Sequence, residues 1–267
     1  MIIEQKKSLW WRRLNMLVKR AMVHNVRGFG PPKIVLTEHP RSGGTWVSQM
    51  LADYLGIPAP RNRLPTYRRC ILHGHYLYVA DPHDTIVMWR DGRDVIVSLY
   101  YYHLFFRRNT RPGWAEKQQE RLGITDPADI QRYLPGYIEY CFADGPPFNM
   151  TWTSFAETWR HRTGCVKTSY EAMRENPSSE MKKILQYLSV PEIDDVKLDS
   201  IIAKFSFENV VTGRNSGDEN AHCFVRKGIV GDWKNKFTRE AREVFDHYAG
   251  QTLIDLGYET DHSWVDG

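Results

Sequence analysis

"KIVLTEHPRSGGTWVSQMLADYLG", Lys33 to Gly56, decides the fold. "KIVLTE" is an apolar run of strand length, and "VSQMLADYLG" has the apolar spacing of a helix. Between them "HPRSGGTW", His39 to Trp46, makes a tight turn from one to the other. A strand, a glycine-containing turn and a helix start aim successive backbone N–H groups at one point, and the helix N-terminus adds a field that favours anions. The stretch therefore reads either as a phosphate-gripping loop or as an ordinary strand-to-helix turn. It is not a Walker A sequence, because G-x-x-x-x-G-K-[ST] is absent, and no strand ends on an obvious magnesium-holding Asp.

Outward from this stretch, β-rich runs alternate with helical patterns. "CILHGH" follows, then "TIVMW" with "DVIVSLYYYHLFF", then "GCVKTSY" with "SSEMKKILQYLSV". This rhythm predicts an α/β fold of three layers, a mostly parallel central sheet flanked by helices. From Asn109 to Met150 the pattern breaks into Pro, Gly and aromatic residues, read as pocket lining or irregular surface. Past Leu198 come short helices, a Gly, Asn and Asp-rich loop from Thr212 to Asn220, and a last helix near Arg239 to Leu256.

The chain's 267 residues, 42% hydrophobic, suffice for one large domain with a buried core, assigned to residues 31–267. A formal charge of +4 suits an anionic small ligand or surface and gives no footprint for nucleic acid. Cys70, Cys141, Cys165 and Cys223 form no C-x-x-C pair, which excludes a zinc ribbon and favours a reducing, cytoplasmic compartment. No apolar run approaches the roughly 18 residues of a membrane span.

Residues 1–30 are read as a basic amphipathic helix. Trp10, Trp11, Leu14, Leu17, Val18, Ala21 and Met22 gather on one face, and Arg12, Arg13, Lys19 and Arg20 on the other. Such a helix docks on its own domain or lies on an anionic membrane.

Two further stretches carry chemistry. In "MWRDGRDVIVSLYYYH", Arg90 closes a strand and Ser98 falls early in the next helix, so a guanidinium fork and a hydroxyl can converge on one anion. Asp94 is placed as a cap or as a partner for Arg93. In "RKGIVGDWKNKFT", Arg226, Lys227 and Gly228 join two cations to a residue that allows close backbone approach, although a solvated basic loop reads the same way.

"PRSGGTW", "RDGRDVIVS", "SYEAMRENP" and "RKGIVGDWKNKFT", in this order, resemble the signature blocks of sulfotransferases that use 3′-phosphoadenosine 5′-phosphosulfate, the cytosolic type in particular. The resemblance runs from about Ile34 to about Tyr248 and implies the P-loop-like sulfotransferase fold. It implies that Arg41, Ser42, Gly43, Gly44 and Thr45 bind the 5′-phosphosulfate, and that Arg90, Ser98, Arg226, Lys227 and Gly228 bind the 3′-phosphate. Trp46 and Tyr170 match adenine contacts, with Ser206 and Phe207 as further nucleotide contacts; from the residues alone, Trp46 reads as core and Tyr170 as a strand-end aromatic. In "ILHGHYLY" the resemblance places the catalytic base at His75, with His73 on the same strand face as the other candidate.

Most relatives of this type carry lysine at the position of Arg41. A guanidinium does not release its proton, so Arg41 is expected to act by charge and a bidentate grip, without acid catalysis. No metal is implied. The acceptor is expected to be a small alcohol or phenol, a glycan or a glycolipid. A segment that resembles the family's dimer-forming stretch has Arg239 at an apolar position, which leaves the oligomeric state open. The competing readings are a P-loop kinase or nucleotide hydrolase, and a membrane-peripheral nucleotide-binding protein without turnover.

Overall fold

The computed structural model describes residues 9–24, 33–60, 68–111, 113–143, 149–211 and 213–267. Residues 1–8 and 25–30 of the stretch read as an N-terminal helix, and 144–148 of the Asn109 to Met150 region, lie outside the described residues. The elements in chain order begin α1 (Leu9–Val23), β1 (Lys33–Glu38), α2 (Gly44–Leu55), β2 (Cys70–Gly74), β3 (Thr85–Trp89) and α3 (Gly92–Tyr101). Then come a π-helical turn (Tyr102–Phe106), α4 (Arg107–Thr110), α5 (Trp114–Arg121), α6 (Ile130–Phe142), α7 (Trp152–Arg160) and β4 (Val166–Ser169). The last are α8 (Tyr170–Glu175), α9 (Pro177–Tyr187), α10 (Asp195–Lys204), α11 (Phe207–Val210) and α12 (Arg239–Asp255).

Two compact units are formed: Met1–Glu38, Ser42–Trp89 and Arg162–Thr212 in the first, His39–Arg41, Arg90–His161 and Gly213–Gly267 in the second. The first holds the sheet, parallel throughout, in the order β2-β1-β3-β4. β1 and β3 are mostly apolar and almost wholly buried, the mark of interior parallel strands. Ile34 and Leu36 of β1, Ile71, Ile86, Met88 and Val166 share one core with Val47, Met50 and Leu51 of α2 and Ile184 and Leu185 of α9.

Helix α1 matches the expected face only in part: Trp11, Leu14, Val18 and Ala21 are half-buried. Trp10 and Leu17 are exposed, while Asn15, Lys19, Met22 and Val23 are buried. The helix is turned so that the Lys19 stem lies along apolar surface and its ammonium donates to the Pro60 carbonyl, a better outcome for the amine than unpaired burial. Arg13, Met16 and Arg20 share the exposed side.

The second unit is helical around a core of Val95, Leu99, Tyr100, Leu134, Tyr137, Ile138, Trp152 and Phe245. Here α5 and α6 occupy much of the stretch read as broken by proline and glycine. Pro135 lies inside α6 at a cost of about 3 kcal/mol, which is offset by burying Ile130, Leu134, Tyr137, Ile138 and Cys141 at roughly 1.5–3 kcal/mol per large apolar side chain. Asp91, not Asp94, caps α3 by accepting the Arg93 N–H, and its carboxylate also pairs with the Arg93 guanidinium at 2.7 Å. Asp94 instead accepts the Gly231 and Trp233 N–H groups at 2.8 and 3.0 Å.

His103, in the π-turn, is buried with Nδ1 2.6 Å from the Tyr137 hydroxyl. Burial, then the charges of Arg107 and Arg41, push its pKa down to about 3. The unfolded imidazole titrates near 6.5, so the unfolded state takes up a proton that the folded state refuses. Stability is full above that pH and is lost towards pH 3 at about 1.4 kcal/mol per unit. Between pH 7 and pH 5 the wild type should lose about 2 kcal/mol more than His103→Asn in urea unfolding; equal losses would show that His103 is not the sensor.

Candidate functional site

In the first unit the turn after β1 delivers Ser42 to Trp46. Gly43 has φ +97°, and a Cβ there would lie 2.8 Å from the Tyr170 ring and 3.0 Å from Met88 Cε, so glycine is required for both conformation and space. No side chain of the turn caps α2; the Glu38 carboxylate does so from the end of β1, accepting the Gly44 N–H at 2.5 Å. Ser42 is fully buried, and its hydroxyl has no protein hydrogen-bond partner among the described residues. A buried orphan hydroxyl in a turn opening on a helix N-terminus fits an anion that would accept its proton.

Trp46 and Tyr170 meet edge to face at 6.2 Å between ring centroids, and the Trp46 indole donates to the Phe205 carbonyl at 2.9 Å. Ser206 caps α11 by accepting the Asn209 N–H, and Phe207 is buried. Loop, indole, tyrosine and the 205–207 segment are thus one neighbourhood of the first unit.

The two histidines of "ILHGH" are both tied to Glu38. His73 Nε2 lies 2.8 Å from Glu38 Oε1, and His75 Nδ1 lies 3.0 Å from the Glu38 main-chain oxygen. A carbonyl only accepts, so this bond places the His75 hydrogen on Nδ1 and, in the neutral ring, the lone pair on Nε2. Burial alone would raise the Glu38 pKa, but the bond and charge of His73, the charge of His75 and the Gly44 N–H bring it below the ordinary value. Sequence reasoning missed Glu38. The available signal was an acidic residue closing an apolar strand directly before the turn.

In the second unit Arg41 has φ +77°, a left-handed conformation that costs a residue with a Cβ about 1–2 kcal/mol. Its anchors hold it there: Nε donates to Ser98 Oγ at 3.0 Å, Nη2 to the Phe224 carbonyl at 2.7 Å, and the guanidinium lies over the Tyr102 and Phe224 rings at 5.0 and 4.5 Å. Arg90 donates to the Arg41 carbonyl at 3.1 Å and to the Ile229 carbonyl at 3.3 Å, and stands 3.6 Å from Asp94. Arg41 thus bonds Ser98 through its side chain and Arg90 through its main-chain oxygen, which links the three residues through Arg41.

Arg226 and Lys227 are already engaged. Arg226 donates to Glu219 at 2.6 Å and to Asp232 at 2.5 Å, and Lys227 to Asp232 at 2.6 Å. The Asp232 carboxyl, which burial alone would push up, is held below the usual range by these two cations. Gly228 has φ +69°, so a side chain there would be strained. Arg239, of the segment likened to a dimer stretch, is exposed and pairs with Glu243 and Asp266.

Comparison with known proteins bears on this arrangement. The chain is 26% identical over 276 residues to sulfotransferase 1A1 of Rattus norvegicus, covering 86% of this chain and 87% of the relative. To sulfotransferase 1B1 of Mus musculus it is 26% identical over 265 residues, covering 81% of each. The fold matches that of mouse sulfotransferase SULT7A1 complexed with PAP, with a TM-score of 0.64 at 18% identity over 91% of this chain and 93% of that one. The sulfotransferase-domain model matches residues 80–257, a span holding Arg90, Ser98, Tyr170 and the Arg226 loop, though not the turn at Arg41. With two thirds of its length inside that match, the chain belongs to the sulfotransferase-domain family.

Proposed function

We propose that this protein transfers the sulfuryl group of 3′-phosphoadenosine 5′-phosphosulfate to a hydroxyl acceptor, with residues 31–267 as its functional unit. The observation that carries the reading is that Arg41 joins two motifs far apart in sequence, bonding Ser98 through its guanidinium and Arg90 through its main-chain oxygen, residue types suited to anionic oxygens. Ser42, Gly43, Gly44 and Thr45 form the 5′-phosphosulfate turn with Arg41, and the orphan Ser42 hydroxyl is a ready donor to it. Trp46, Tyr170, Ser206 and Phe207 face the nucleoside; Arg90, Ser98, Arg226, Lys227 and Gly228 serve the 3′-phosphate.

Transfer is an in-line displacement at sulfur. The acceptor oxygen forms the new S–O bond as the bond to the 5′-phosphate oxygen breaks, and His75 Nε2 takes the acceptor's proton. Arg41 holds the charge that develops on the departing phosphate. The acceptor is a small alcohol or phenol, and the glycan or glycolipid alternative rests on the arginine in the anion turn.

The protein acts in the cytoplasm, and the exposed side of α1, with Trp10, Met16 and Leu17 beside Arg13 and Arg20, supports contact with an anionic membrane surface. No described helix is long and apolar enough to cross a membrane.

PAP, the product nucleotide 3′-phosphoadenosine 5′-phosphate, at about 100 times its Kd should stabilise the fold by about 2.7 kcal/mol and raise Tm by about 5–10 °C without added magnesium. Stabilisation by ATP and magnesium, with none by PAP, would replace this reading with the kinase one. In the same preparation, binding to phosphatidylserine vesicles that is lost on removal of residues 1–30 assigns the membrane contact to that segment; absence of binding removes it.

A further inference from the structure

Glu38 is a buried carboxylate that the transfer scheme above does not use, 3% exposed at the end of β1. Both of its side-chain oxygens are engaged, Oε2 by the Gly44 N–H at 2.5 Å and Oε1 by His73 Nε2 at 2.8 Å. Its main-chain oxygen is engaged as well, by His75 Nδ1 at 3.0 Å. One residue therefore touches the anion turn and both imidazoles.

The surroundings are built for this pairing. A Cβ on Gly44 would lie 2.7 Å from Glu38 Cδ and 2.8 Å from His73 Nε2, so the second glycine of "SGGT" leaves the space that the Glu38 and His73 side chains fill. β1 and β2 are parallel neighbours with Leu36 opposite His73, which brings the imidazole alongside the end of β1. The two rings stand nearly perpendicular, 5.9 Å apart between centroids. A carboxylate only accepts, so the His73 hydrogen lies on Nε2, and the two histidines are held in opposite tautomers by the same residue.

We propose that Glu38 is a positioning residue for sulfuryl transfer: its doubly anchored side chain fixes the direction of its own carbonyl, and that carbonyl aims His75 relative to the anion turn. This rests on the reading of His75 as the base. The direction of a peptide carbonyl follows the ψ angle of its residue, and the Gly44 bond closes a ring through the Glu38 side chain and the turn that includes this angle and so narrows its range. The Gly44 bond ties the same residue to the start of α2, so base and turn share one reference point.

Two readouts on the full chain test this. Ring 15N NMR of the histidines, assigned with His73→Asn and His75→Asn, should show hydrogen on Nδ1 of His75 and Nε2 of His73. In Glu38→Gln, one oxygen remains to accept where two accepted before; the His73 signals should shift and those of His75 should broaden or move. Release of PAP from the donor, with 4-nitrophenol or water as acceptor, should fall at least tenfold in kcat while KM for the donor and Kd for PAP stay within threefold. Gly44→Ala, which crowds the same pair from the other side, should reproduce the NMR change.

A wild-type His75 carrying its hydrogen on Nε2 overturns the proposal. So does Glu38→Gln with kcat within twofold of wild type, or a fall in kcat matched by an equal loss of PAP affinity, which would make Glu38 a support of the turn alone. The base reading fails separately, by full activity of His75→Ala.

Discussion

His75→Ala should lose at least a hundredfold in kcat while its affinity for PAP stays within about threefold of wild type. A positioned general base contributes about 10²–10⁴ in rate, or roughly 3–5 kcal/mol of barrier. The nucleotide contacts proposed above do not include His75, so binding and chemistry should separate. With Nδ1 committed to the Glu38 carbonyl, a neutral His75 carries its lone pair on Nε2, the atom to which the proposed function assigns the acceptor's proton. His73→Ala is the control, because its Nε2 is committed to the Glu38 carboxylate. A dead His73→Ala beside a fully active His75→Ala would reverse the assignment.

Arg41→Ala should lower kcat/KM by about 10²–10³, the range for removing one preorganised group that stabilises developing negative charge. Arg41→Lys should recover only part of it. The fork of Arg41 reaches Ser98 Oγ through Nε and the Phe224 carbonyl through Nη2, two directions that a single ammonium does not span. The lysine variant has a further signature. A guanidinium stays charged across the working range, whereas an ammonium titrates near 10.4, so Arg41→Lys should gain an alkaline limb in its pH profile. An Arg41→Lys enzyme equal to wild type at pH 7 would show that charge alone matters at this position. Rates are measured as PAP release at saturating and limiting donor.

The sheet was legible because its two central strands hold short, mostly apolar runs between turn residues. "KIVLTE" and "TIVMW" coincide with β1 and β3. The helices between Asn109 and Met150 were not, because Pro135 and Gly136 outweigh local periodicity, while the burial that rescues α6 comes from residues distant in sequence. The side of α1 that Lys19 occupies was misjudged for a related reason. Hydropathy placed Lys19 in water, but a carbonyl within reach at Pro60 gave its ammonium a partner.

For the site, sequence motifs indicated residue types but not their companions. Nothing local shows that Asp232 and Glu219 engage Arg226, or that Asp94 secures the Gly231 and Trp233 amides. Glu38 escaped notice because its importance lies in three partners spread over 37 residues.

The pairing of Arg226 and Lys227 also bears on how a highly charged ligand arrives. Around Asp232 and Glu219 stand three cations, Arg226, Lys227 and Lys236, against two carboxylates, so little net field extends beyond one Debye length of about 8 Å. Under the proposed function, attraction there is felt only on contact, phosphate oxygens competing with the carboxylates for the same N–H groups. Capture of the 3′-phosphate at this loop is, on that proposal, an exchange of partners that tolerates physiological salt.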